Sequence, residues 1–367
     1  MAFILTFLGK GGTGRTTVAI AAAKSLAGQG QRVLLFGHDA EQSLSLLLNE
    51  TGLSTEPREI APNLSVATLA ASQVLEQSWD EVKKLEAQYV RTPFFKNVFG
   101  QELSVLPGMD AALGLYTLKN FDASGRYDAI VYDAQQSMTA LRMFGMPEVL
   151  SWYLRRFRQV FADSDLGKAL SPFLQPIAAA VLNTTDWTSG NFSQPFSMAD
   201  DELSQGRRAV ADPSRVAAYL VTTVDPLAMR TAQYLWGSAQ QVNLTVAGLL
   251  LNQSANLHVL HERFAPLPIH ALPGRTGELW QPLVDSLPNF RQEALQAPKP
   301  MAIDVAQRQV KLFLPGFDKS QVQLTQYGPE LTIAAGDQRR NLFLPDELKG
   351  QKVTGAKFSE GYLIISF

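Results

Sequence analysis

The densest chemistry in the chain lies in nine consecutive residues, Gly9-Lys10-Gly11-Gly12-Thr13-Gly14-Arg15-Thr16-Thr17. Glycines at this spacing let successive backbone N–H groups turn toward phosphate oxygens, and a helix opening just behind them adds partial positive charge. The Thr16 hydroxyl stands where a phosphate loop keeps its Mg²⁺ ligand. The spacing fits G-x-x-x-x-G-K-[ST] except that Arg15 takes the place of the lysine. Two carboxylates end apolar runs elsewhere. Asp133 closes Asp128-Ala129-Ile130-Val131-Tyr132-Asp133, a pattern that holds Mg²⁺, directly or through water, beside the β- and γ-phosphates. Asp39 closes Gln31-Arg32-Val33-Leu34-Leu35-Phe36-Gly37-His38-Asp39, where a carboxylate can orient an attacking water. Either aspartate could equally be a helix cap.

These groups need a scaffold, and the chain supplies a strand-then-helix rhythm. An apolar strand, Phe3–Leu8, precedes the glycine loop and a helix, Val18–Leu26, follows it. Further strands are expected at Leu64–Thr68, Leu103–Leu106, Ala217–Val224 and Leu244–Asn252. Such alternation predicts an α/β fold with a mostly parallel sheet covered on both faces. Ligands of these sheets bind beyond the C-terminal strand ends, so Gly9–Thr17, Asp39, Asp133 and Asn252 should meet at one crevice. Behind Asp133 the segment Met138–Ile177 is strongly apolar. Met143, Met146, Leu150, Leu154, Phe157 and Phe161 form a stripe at helical spacing, with Trp152 and Val149 beside it. Two readings stand: a buried helix pair, or an adaptable methionine-rich groove for apolar partners. Asn183–Ser214 is polar and aperiodic, which reads as a mobile lid or disordered connection.

Composition narrows the function classes. The 367 residues carry a net charge of −2 and no cysteine. Disulfides, thiolate zinc sites and iron–sulfur clusters are therefore excluded, and zinc is not expected. His258 and His261 lack the order of a zinc-protease helix and read as surface or capping residues. The charge balance gives no reason to expect nucleic acid as partner. No apolar run is long enough to span a bilayer, and the opening strand leaves no room for a leader, so a cytoplasmic protein is expected.

The rhythm changes after Ala297-Pro298-Lys299-Pro300. Short alternating strands at Val310–Leu314, Val322–Leu324, Leu331–Ile333, Leu342–Leu344 and Leu363–Ile365, separated by Pro-Gly, Gly-Pro and Gly-Asp, predict an antiparallel sandwich. Leu314-Pro315-Gly316-Phe317, Arg340-Asn341-Leu342-Phe343-Leu344-Pro345 and Ala356–Leu363 resemble the α-crystallin (small heat-shock) domain over residues 303–367. Ala335–Arg340 reads as a short connection, too short for a loop exchanged between subunits. The segment reads as a docking or stabilising module.

The glycine loop itself is similar to the deviant Walker A loop of the ArsA (arsenical-pump) and guided-entry ATPases, G-K-G-G-V-G-K-T-T. Gly37-His38-Asp39-Ala40-Glu41-Gln42-Ser43-Leu44-Ser45 resembles their switch I. Asp133–Arg142 resembles their switch II, and Pro107-Gly108-Met109-Asp110-Ala111-Ala112 their P-G-I-D-E-A. The resemblance implies a P-loop NTPase domain over residues 1–297, with a helical, client-binding insertion and lid at 138–213. It implies ATP or ADP with Mg²⁺ held by Thr16 and Asp133, Asp39 as the catalytic aspartate and Asn252 at the adenine. Lys10 would reach the phosphates of a partner in a homodimer. Clients would be apolar segments, membrane-protein segments among them, in a groove of Met143, Met146, Leu150, Trp152, Leu154, Phe157 and Phe161. Switch I lacks the family's Pro and His, switch II lacks its Pro and Gly, and Arg15 is bulkier than lysine. Slow hydrolysis is therefore expected, with a nucleotide-binding scaffold of vestigial activity as the alternative. The absence of C-x-x-C removes the family's zinc clasp, and the absence of thiols removes arsenite sensing.

Overall fold

The computed structural model describes residues 1–69, 108–134, 136–163, 193–254, 258–277, 279–327, 330–336, 338–342 and 344–367. The expected strand Leu103–Leu106, Pro107 and the stretch 164–192 lie outside the described residues. So do the side chains of Leu154, Phe157, Phe161 and His258.

The large sheet has eight strands: β1 (Phe3–Leu8), β2 (Val33–His38), β3 (Arg58–Ala61), β4 (Leu64–Leu69), β5 (Ala129–Ala134), β6 (Val216–Thr222), β7 (Val246–Asn252) and β8 (Ile269–Leu272). Their order is β3-β4-β2-β5-β1-β6-β7-β8, with β1 central and every pairing parallel except the edge hairpin β3–β4. Alternate residues of each strand enter opposite cores. Ile4, Leu34, Phe36, Ile130, Tyr132 and Leu249 face one, and Phe3, Leu5, Val33, Leu35, Val131 and Leu250 face the other. A strand buried on both sides must be apolar throughout, which is why these runs stand out in the sequence.

Two helix layers complete the domain. Helix α1 (Arg15–Gly28) covers one face, with α2 (Glu41–Leu48) beyond β2. Helices α3 (Met109–Ala123), α4 (Ser137–Asp163), α5 (Ser193–Ala211) and α6 (Pro226–Gln241) lie on the other, and α7 (His258–Phe264) packs there too. Short helices α8 (Gln281–Asp285) and α9 (Phe290–Gln296) return to the first face. Helix α5 corrects the reading of Asn183–Ser214 as lid or disordered connection. It packs along α4, with Leu203 and Val210 buried, and Lys119 of α3 pairs with Glu202 at 2.7 Å at its edge. Its polar composition conceals an amphipathic period, and packing on α4 sustains the helix.

The C-terminal region forms two antiparallel sheets. One is β14 (Gly355–Ser359), β15 (Tyr362–Ser366), β10 (Gln309–Phe313) and β9 (Met301–Asp304). The other is β11 (Val322–Tyr327), β12 (Glu330–Ala335) and β13 (Gln338–Leu342). Their facing residues, Val310, Leu312, Leu331, Ile333, Leu363 and Ile365, make a third core. The reading of Ala335–Arg340 as a connection is corrected: β13 begins at Gln338 and only a tight turn separates it from β12. Polar Gln338-Arg339-Arg340-Asn341 concealed the strand because its buried member, Arg340, is charged.

This module is docked on α6. Phe313 enters the first domain's core and meets Trp236 edge-on at 5.3 Å, while Tyr234 meets Phe317 at 5.6 Å. Gly237 permits the close approach, since an added Cβ would overlap the Pro315 carbonyl and the Phe317 ring. Arg340 then donates to the Gln240 carbonyl and to Asn243 Oδ1 beyond the end of α6. A cation on the final carbonyls of a helix is favourably placed.

Candidate phosphate-loop site

The loop after β1 leads into α1, whose N-cap, Gly14, has φ +92° and gives no side-chain cap. Only glycine adopts that backbone cheaply, and here a Cβ would also overlap Asn252 Nδ2. An uncapped helix start leaves N–H groups open toward whatever fills the loop. Thr13 ties the turn together, its N–H and hydroxyl donating to the Lys10 carbonyl at 3.3 and 2.8 Å. Asn252, at the end of β7, donates from Nδ2 to the Thr13 carbonyl at 2.9 Å.

The β5–α4 turn braces the loop from the other side. The Ser137 hydroxyl accepts from Gly9 N–H at 2.9 Å and donates to the Gly9 carbonyl at 2.9 Å. Arg15 Nη1 donates to the Ala134 carbonyl at 2.9 Å and to Ser137 Oγ at 3.2 Å. The arginine that stands in the lysine position is thus bound to the start of α4. Burial weighs against its charge, and Asp133 supports it.

Asp133 is the most exceptional group of the site. It is buried, and neither carboxylate oxygen meets a closely directed donor among the described residues, although the Thr16 hydroxyl lies near enough to favour its charged form. Burial pushes its carboxyl up to about 6, against the pull of the nearby Thr16 hydroxyl and Arg15 guanidinium. A bare buried carboxylate beside a hydroxyl is a donor set suited to a hard divalent cation. Among the described residues no cluster of three or more acidic or imidazole groups could hold a metal alone. Thr16 and Asp133 therefore fit Mg²⁺ that arrives with phosphate oxygens of its own.

Asp39 follows β2 with φ +53°, a left-handed backbone that aspartate tolerates better than most residues. Its side chain is exposed, and His38 Nε2 faces Oδ2 at 3.9 Å. His38 Nδ1 lies 2.8 Å from the Tyr132 hydroxyl, one residue before Asp133. Burial lowers the His38 pKa against the charges of Asp39 and Asp110, and burial raises that of Tyr132. Taking the neutral phenol as donor assigns the ring proton to Nε2, facing Asp39. Lys10 has an ammonium with no partner among the described residues and points no bond into its own loop.

Gly9–Thr17, Asp133 and Asn252 thus share one hydrogen-bonded, electrostatically coupled region, with Asp39 joined to it through His38 and Tyr132. Sequence reasoning missed Ser137 and the His38–Tyr132 pair. Their partners lie 128 and 94 residues away, so no local spacing could disclose them. The apolar segment is divided. Met143 is fully buried in the core, Met146 is partly buried against it, Leu150 and Trp152 are intermediate, and Val149 and Tyr153 are exposed. No helix among the described residues is long and apolar enough to cross a membrane.

Comparison with known proteins agrees with this geometry. The pattern of the anion-transporting ATPase family matches residues 1–263, and that of the HSP20-like domain found in ArsA matches residues 306–367. The chain is 28% identical to a "Putative arsenical pump-driving ATPase" of Chlorobaculum tepidum, covering 99% of this chain and 95% of that one. It is 29% identical to the "Arsenical pump-driving ATPase" of Escherichia coli, over 41% of this chain and 26% of that one. With the "ATPase ASNA1 homolog" of Babesia bovis it shares 31% identity over 39% of this chain and 38% of that one. With its glycine loop set between β1 and α1 and its β module docked on α6, the chain belongs to the anion-transporting (ArsA) ATPase family.

Proposed function

We propose that the chain is a slow, Mg²⁺-dependent ATPase that works as a cytoplasmic homodimer and binds apolar segments of client proteins according to its nucleotide state. The observation that carries the nucleotide part is Asp133: a buried carboxylate with no closely directed donor, next to Thr16 and Arg15, at the open end of α1. Folding alone leaves that charge only partly compensated, by Thr16 and Arg15, and a bound cation with phosphate completes the compensation.

Each residue has a defined task in this reading. The N–H groups of Gly11–Thr17 hold phosphate oxygens. Thr16 and Asp133 would hold Mg²⁺, which when bound offsets charge gathering on the β- and γ-phosphates. Arg15 turns from Ala134 and Ser137 to the phosphate, which frees the start of α4. Asp39 positions the attacking water, and His38 steadies Asp39. Asn252 holds the loop through Nδ2 and offers Oδ1 to adenine. Lys10, uncommitted in its own subunit, reaches the partner's phosphates. The client face begins at Met146, since Met143 is core, and runs over Leu150 and Trp152 with exposed Val149 and Tyr153. Because α4 starts four residues after Asp133, rearrangement at the phosphate passes directly into it.

A second reading, a nucleotide-binding scaffold with vestigial hydrolysis, is favoured by one feature. Arg15 is held by the β5–α4 turn and must break two hydrogen bonds to serve a phosphate. Steady-state ATP hydrolysis with Asp39→Asn as control decides between them, because asparagine tolerates the same left-handed backbone. Turnover that falls at least tenfold in the variant supports the ATPase. Turnover that is equal in both, at background, supports the scaffold.

A further inference from the structure

A cavity of about 280 Å³ lies between the two domains, away from the phosphate loop. Its apolar wall includes Leu141, Met146, Val149, Leu150 and Val242. Its polar side brings Arg142 of α4 together with Arg339 and Arg340 of β13, opposed by a single carboxylate, Glu148. Arg142 and Arg339 are exposed and have no side-chain partner among the described residues. Gln241 also lines the space, and although only 2% exposed it leaves both its amide nitrogen and its amide oxygen without partners. A second cavity of about 210 Å³ shares Glu148 and Arg340 and adds Arg207 and Arg208.

The features of this chamber are hard to explain as packing alone. Arginines converging from two domains repel each other unless an anion separates them, and planar guanidinium forks suit oxyanions in particular. The opposite wall is aliphatic and thioether, which accepts a flexible chain. At about 280 Å³ the space is near the lower end for small-ligand sites. It holds about nine groups the size of water at ~30 Å³ each, which a short alkyl chain would fill.

From this juxtaposition we infer that the domain junction is a binding site for a small amphiphile, an aliphatic chain of about eight carbons bearing an oxyanion head. Arg142 and Arg339 engage the head, and the chain lies on Met146, Val149 and Leu150. Because Leu141 and Arg142 belong to the helix that follows Asp133, the occupant joins that helix to the C-terminal module. The site does not rest on hydrolysis, but it shares Met146, Val149 and Leu150 with the proposed client face, so a bound amphiphile and a bound client exclude each other.

Calorimetry on the full chain, without nucleotide, tests it with octanoate, octyl phosphate and octanol. Octanoate or octyl phosphate should bind one to one, at least tenfold more tightly than octanol, and the tighter of the two identifies the head as carboxylate or phosphate. Arg142→Gln/Arg339→Gln, both at exposed positions, should weaken the anion at least tenfold while leaving octanol unchanged. Equal affinity for octanol, anion affinity unchanged in the double variant, or no saturation by either anion up to millimolar concentration would overturn the assignment. None of these outcomes depends on ATP hydrolysis, so the proposed function is tested separately.

Discussion

Replacing Asp133 by asparagine should make the nucleotide-free protein gain stability relative to wild type as pH rises. The carboxyl is pushed from an ordinary 3.8 up to about 6 by burial. The folded state therefore holds this proton more tightly than the unfolded chain does. The stabilisation is fully present below pH 3.8 and is lost as pH rises through 6. At roughly 1.4 kcal/mol per tenfold change in proton affinity, the whole effect is of order 3 kcal/mol, of which a little under half falls between pH 5 and 8. The amide of the Asp133→Asn variant does not titrate. Burying an amide has its own cost, of order 1–3 kcal/mol, but that cost is the same at both pH values and cancels in the comparison. Urea denaturation of both proteins at pH 5 and pH 8, with chelator and without nucleotide, measures the difference. The stability of the variant minus that of wild type should become more positive by about 1 kcal/mol at the higher pH. A constant difference, or a change of opposite sign, would falsify the placement of Asp133 as an only partly compensated buried carboxylate. Adding Mg²⁺–ATP at pH 8 should raise the wild type's stability and leave the variant's nearly unchanged.

Arg15→Lys should raise ATP turnover by up to tenfold, since it removes the bonds to Ala134 and Ser137 that must break on phosphate binding; an unchanged rate in a steady-state assay would count against that restraint. Lys10→Ala should abolish nucleotide-dependent dimer formation in light scattering while leaving ADP binding within about threefold, and undiminished closure would make Lys10 a ligand of its own loop only. Gly237→Val should overpack the contact with Pro315 and Phe317 by roughly 1–3 kcal/mol, so limited proteolysis at Ala297–Pro300 should accelerate, and an identical cleavage pattern would argue that the module is not held there.

Legibility in the sequence followed the physics of each element. The central strands β1, β2, β5, β6 and β7 showed as unbroken apolar runs because both their faces are buried, and their order of occurrence announced a parallel sheet. Asp39, Asp133 and Asn252 were traceable because strand ends of such sheets face one crevice. Helix α5 and strand β13 were not legible, for related reasons. Each is held by partners distant in sequence, α5 by its packing along α4 and β13 by its ladder with β12 and by Arg340 at the end of α6. The composition of both resembles a loop. Ser137 lies unmarked within Asp133–Arg142, and nothing local reveals that its hydroxyl grips Gly9 from both sides. The stripe from Met143 to Phe161 joined residues of unlike fate, because a helix that leaves the sheet keeps its period while its surroundings change.

Two buried charges show how structure and function can be told apart in this chain. Arg340 is fully buried, and burial pushes its pKa down to about 10, yet its guanidinium is answered by the Gln240 carbonyl, Asn243 and the field of Glu148. Its bonds fasten one domain to the other, so its removal should cost stability at every pH. Asp133 is equally buried and has nothing of the kind; its neighbours Thr16 and Arg15 only moderate the penalty. A protein retains such a group at a loss unless a ligand regularly repairs it, and the repair must carry positive charge. That requirement falls at the opening of an uncapped helix, within reach of an arginine held back by the turn that begins α4. A ligand that satisfies Asp133 and draws Arg15 away changes two ends of one connection at once. In the proposed function the cost that Asp133 carries without a cation would make the start of α4 sensitive to occupancy, and the same helix carries Arg142 and Met146 to the cavity at the domain junction.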